Sequence, residues 1–162
     1  MLGRIFPKQF DNAYRGHWLA IWLLALVVLA KSIMCYQSLF NTGFAIQTAD
    51  SIALDTFGAA GARAFVSIFR LLGLDNLLLN LLGVGVLIRY RAMIPFMYLL
   101  LTVEQVSRKL LLLTNPIVRT GAPPVLPFNI NLVLLTMLLI GLILSLQGKG
   151  YHPRQEVESI RT

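Results

Sequence analysis

Long apolar runs separated by short polar breaks decide what this chain can fold into. The first runs from about His17 to Phe40, with Lys31 as its only charge, and others occupy about 63–89, 92–113 and 128–147. A bilayer's hydrocarbon core is about 30 Å thick, so a helix crosses it in about 20 residues. Backbone groups have no water to bond in lipid, and a helix satisfies them within its own segment. Only 13% of the 162 residues are charged, against roughly 25% in soluble domains. The expected fold class is therefore all-α. It is a single domain over 1–162, a polytopic (multi-pass) membrane protein with four transmembrane helices in a bundle.

The breaks between the runs set the ends of the helices. Trp18 and Trp22 open the first run, and such rings anchor a helix at headgroup level. The run is long and no small-residue cleavage site follows it, so it is expected to stay as a signal anchor. From Asn41 to Ala62 the residues turn small and polar, with Asp55 placed as an N-cap for the next helix. The second apolar region would reach about 40 Å, more than a bilayer core needs. It reads either as one long tilted helix, kinked near Gly73, or as an interfacial helix over 57–72 followed by a span. Pro95 falls in the first turn of the third run, where a missing N–H costs little. Pro116, Pro123, Pro124 and Pro127 stiffen the loop before the fourth.

Orientation follows from the basic residues. Arg4, Lys8, Arg15, Arg89, Arg91, Lys149, Arg154 and Arg161 fall on one side, while Arg63 and Arg119 fall in the other loops. By the positive-inside rule both termini are expected to be cytoplasmic, in a cell inner (plasma) membrane. The net charge of +7 sits mostly at span ends, where it meets anionic lipid headgroups. No soluble basic face is left for nucleic acid.

With that topology, polar side chains gather in the outer half of the bilayer. The stretch over 98–113 carries Glu104, Arg108 and Lys109 in an otherwise apolar sequence. Charges in hydrocarbon are costly unless paired or watered, so they mark a functional site by default. Glu104 and Arg108 are four apart and share a helix face. Gly73, Asn76, Asn80 and Gly83 form a stripe of small and amide residues, the spacing by which membrane helices approach and bond. Lys31, Arg70, Asp75 and Asn131 fall at similar depth. Lys31, Arg70, Asp75, Asn76, Asn80, Glu104, Arg108 and Asn131 form one candidate polar cluster, and one reading bonds Asn76 and Asn80 to Glu104 and makes the Glu104–Arg108 pair structural glue within it. The other makes it an outward polar pocket, whose surplus cations would suit a lipid phosphate or carboxylate. Alternatively, Lys31, Arg70 and Lys109 snorkel to the outer interface.

Catalytic patterns are missing. Cys35 stands alone, so no disulfide or dithiol chemistry is available. His17 and His152 lie at or beyond span ends, which argues against a metal site. Ser67 and Ser107 have no nearby His to activate them. No cofactor is expected, and an enzyme is disfavoured.

Two segments, Arg89-Tyr90-Arg91-Ala92-Met93-Ile94-Pro95 with Glu104 and Arg108 beyond it, and 116–124 with its prolines, resemble small bacterial four-helix inner-membrane proteins of the DoxX type. The resemblance covers most of the chain and implies a four-helix membrane bundle. It carries no activity with it. The expected function is an integral membrane protein serving as a structural or accessory subunit of a membrane assembly or a homo-oligomer, in contact with membrane lipids. The alternative is a small transporter or lipid- or amphiphile-binding protein with an outward-facing polar pocket.

Overall fold

A computed structural model describes residues 5, 12, 14, 16–49, 52, 54–115 and 125–147, without the side chains of 48, 49, 55 and 125–129. The proline loop over 116–124, most of the basic N-terminal segment, the tail over 148–162 and the Asp55 cap lie outside that description. The described residues are all helix, turn and coil, with no strand. The long helices are α1 (Trp18–Phe40), α3 (Ala59–Ile88), α4 (Ile94–Thr114) and α5 (Val125–Leu146). A short α2 (Thr42–Ala49) follows α1, and single 3-10 turns at Leu54–Thr56 and Arg91–Met93 precede α3 and α4.

Local chemistry sets the helix ends. The His17 imidazole accepts a hydrogen bond from the Leu19 amide at 3.3 Å and caps α1. Asn41 leaves helical geometry at φ −118° and ψ 43°, which ends α1. The chain re-enters a helix one residue later. Ala45 and Ile46 of α2 are buried, as is Ile52 after it. The polar residues of 41–62 point to a plain loop, but this apolar trio finds cover against the bundle and holds α2 in place. Helix α3 runs unbroken through Gly73. Pro95 sits at the start of α4, as its missing N–H allows.

Helix α1 is central. It lies against α3 on one side and α5 on the other, and α4 lies against α5. The apolar core fills one end of the bundle: Ala20, Leu24, Val27 and Val28 of α1, Val86 of α3, Ile94, Met97, Tyr98 and Leu101 of α4, and Leu134 and Leu138 of α5. Small residues let the backbones approach there. A Cβ on Gly83 would lie 3.0 Å from Val28 Cγ2. A Cβ on Gly141 would overlap the Tyr98 ring, so that ring lies directly over the α5 backbone. The Tyr98 hydroxyl donates to the Ala20 carbonyl at 2.6 Å. One tyrosine thus ties α4 to both α1 and α5, satisfying its own polar end as burial requires.

Large apolar side chains cover the outside: Trp18, Trp22, Phe40, Ile68, Leu71, Leu78, Ile88 and Leu113 are all exposed. Two helices, Trp18–Phe40 and Ala59–Ile88, are long and apolar enough by length and composition to cross a membrane, and Ile130–Leu146 is a shorter apolar helix. Before α1, Tyr14 donates to the His17 carbonyl at 3.2 Å, and burial pushes its phenol up to about 12.

Candidate functional site

Above the apolar core the helices meet through polar groups. Glu104, at the middle of α4, is the hub. Its Oε2 accepts from Lys31 Nζ at 2.6 Å across the α1–α4 boundary. Its Oε1 accepts from the Arg108 guanidinium at 2.8 Å, one turn along the same helix. Arg108 also donates to Asn76 Oδ1 at 3.2 Å, which extends the chain to α3. Four side chains on three helices are thereby linked in sequence, Lys31 to Glu104 to Arg108 to Asn76.

Solvation differs along that chain. The Lys31 side chain is 9% exposed and Glu104 19%, whereas Arg108 is 48% exposed. Both Glu104 oxygens are engaged by cations, so its charge is matched twice over. The network of Lys31, Arg108 and Glu104 carries one positive charge in surplus, and that charge is displayed at Arg108, the open end.

A second contact ties α3 to α1. Asn80 Nδ2 donates to Ser32 Oγ at 2.7 Å, and Ser32 in turn donates to the Val28 carbonyl at 2.9 Å. Asn80 Oδ1 is buried and meets no hydrogen-bond partner among the described residues. Higher up, a Cβ on Gly73 would lie 2.9 Å from Ser38 Cβ, so α3 and α1 touch closely again. The stripe Gly73, Asn76, Asn80 and Gly83 is thus the face that α3 turns to the bundle, as its spacing predicts.

The expected bonding pattern changes in detail. Asn76 and Asn80 do not bond Glu104: Asn76 takes Arg108 and its own helix's Leu72 carbonyl, and Asn80 takes Ser32. Lys31 fills the place they were expected to hold, because its long stem reaches Glu104 from α1. Arg70 stands apart from the cluster, donating to Thr42 Oγ1 at 3.0 Å where α1 ends. Asn131 is half-buried on α5 and makes no hydrogen bond to a described residue. Asp75 is exposed on the far side of α3. It is adjacent to Asn76 in sequence, and a residue's step of about 100° turns it away from the bundle. Ser32 and Tyr98 are anchors that carry no pattern of their own in the sequence. Gly141, a small residue facing a helix, was the available signal for the Tyr98 contact.

Among the described residues no group of three His, Cys, Asp or Glu could hold a metal. Cys35 is buried one turn beyond Lys31 on the same side of α1. No family model, curated protein or solved structure matches the chain.

Proposed function

We propose that this is an integral membrane protein of four spans, α1, α3, α4 and α5, with both termini in the cytoplasm of a bacterial cell and its polar network in the outer half of the inner membrane. It acts as a structural or accessory subunit of a membrane assembly. The observation that carries this reading is direct pairing. Glu104 is already occupied by Lys31 and Arg108, with both distances under 3 Å. A cluster bonded to itself in this way acts as an internal brace that sets the helices in register. The broad apolar exterior then faces lipid or neighbouring subunits.

The alternative keeps one specific support. Arg108 presents the network's surplus positive charge at a half-exposed position, where a lipid phosphate could dock. Purification in mild detergent followed by mass spectrometry separates the readings. Co-purifying membrane subunits support the accessory role. A monomer that retains an anionic lipid, and loses it in Arg108→Gln, supports the lipid-binding role. A monomer carrying neither would overturn both.

A further inference from the structure

The charged residues of the long helices are handled with one exception. Among the described residues, Lys31, Glu104 and Arg108 pair with each other, Arg70 bonds Thr42, Arg63 bonds the Ala59 carbonyl, and Lys109 also has a partner. Asp75 alone makes no hydrogen bond or ion pair with a described residue. It is also exposed.

Its level is set by its neighbours on α3. Asn80 is held to Ser32, and Gly73 lies against Ser38. Asp75 falls between those two levels, inside the length of α1. A carboxylate there faces the surroundings of the bundle. Lys or Arg could extend to the headgroups from such a position, but the two-carbon side chain of Asp cannot. Charges within membrane helices are rare and almost always turn toward protein or a water-filled cavity.

The residues around Asp75 have a second property. Ala64, Ile68, Leu71, Asp75, Leu78 and Leu82 are all exposed, at intervals of four, three, four, three and four. That alternation is the seam along which one helix packs against another in a left-handed pair, the commonest crossing in membrane bundles. Asp75 lies in the middle of the seam.

We propose that this face of α3 docks a membrane helix of a different protein, and that the helix brings a Lys or Arg to the level of Asp75. This rests on the accessory-subunit reading and names the surface that serves it. A second copy fits less well. Two copies share one orientation in the membrane, so a symmetric α3 pairing sets Asp75 against its own equivalent, and like charges repel. A basic partner pairs the carboxylate and fills the seam with apolar contacts.

The test is site-specific photo-crosslinking in the host membrane, with a benzoylphenylalanine at Leu78 in the seam and, separately, at Ile143, an exposed position on α5. Each is made in the Asp75, Asp75→Glu and Asp75→Asn forms, with thermal melting confirming that the fold is kept. The expected result is a Leu78 adduct to a protein with a Lys or Arg in a membrane helix. Its yield should be kept in Asp75→Glu and fall about tenfold in Asp75→Asn, the change produced by about 1.4 kcal/mol. Neutralising the partner's basic residue should give the same loss, and exchanging the two charges should restore the adduct. An adduct of this chain with itself, lipid adducts alone, or a yield indifferent to Asp75→Asn would overturn the proposal. Protein adducts at Ile143 with none at Leu78 would leave the assembly reading standing and reject this surface. Silence at both positions would reject the two together.

Discussion

Replacing Lys31 with Met removes an ammonium while keeping most of the side chain's volume, so it isolates the charge at the centre of the bundle. Lys31 and Glu104 meet at 2.6 Å and both side chains are largely enclosed. Breaking a buried pair by removing one partner costs about 3–5 kcal/mol, chiefly because the other charge is left unmatched. Here Glu104 keeps Arg108, so Lys31→Met should fall at the lower end, about 3 kcal/mol. Glu104→Gln strands Lys31 as a buried cation and should cost at least as much. Combining the two removes both members of the enclosed pair and leaves only the half-exposed Arg108 charged, so the double variant should be less destabilised than the sum of the single variants by about 2–3 kcal/mol. Arg108→Gln is the internal control. Its guanidinium is half in solvent, so screening reduces its share to under about 1 kcal/mol. The assay is equilibrium unfolding in detergent micelles, followed by circular dichroism, with all variants compared at one detergent concentration. Additivity of Lys31→Met and Glu104→Gln within about 0.5 kcal/mol would refute the pairing. So would an Arg108→Gln cost equal to that of Lys31→Met, because the burial argument would then be reversed.

Three further outcomes follow from the same geometry. Gly141→Ala should destabilise by about 1–3 kcal/mol in the same unfolding assay, since its Cβ would overlap the Tyr98 ring; Gly85→Ala, with open space around it, should be neutral or slightly stabilising. Ser32→Ala leaves the buried Asn80 amide without its described partner and should cost about 1 kcal/mol, while Asn80→Ala combined with it should add little. The Tyr14 phenol is raised from 10.0 to about 12 by burial, so its contribution to stability is complete below pH 10 and is lost as pH rises toward 12. Unfolding measured over that window should show a decline that Tyr14→Phe flattens; an unchanged slope in Tyr14→Phe would refute the burial effect.

Patterns within one helix were legible in the sequence. The apolar runs place the long helices, because length and hydropathy need no tertiary partner. The Glu104–Arg108 pair and the stripe from Gly73 to Gly83 were readable because helical periodicity alone puts those residues on a shared face. The short α2 was not, since its few apolar residues form a helix only where the bundle covers them.

Relations between helices belong to the tertiary structure. Lys31 and Glu104 are 73 residues apart, and the rotation and axial shift of α1 against α4 decide that they meet. The same placement gives Asn80 to Ser32 instead of Glu104, and lays Tyr98 over Gly141. The clearest case is Asp75 beside Asn76. Composition and depth put both in one polar cluster, but a turn of about 100° between neighbours sends Asn76 to Arg108 and Asp75 to the outside. Sequence by itself determined which residues carry charge into the apolar helices; only the packed bundle decided which of those charges are answered from within.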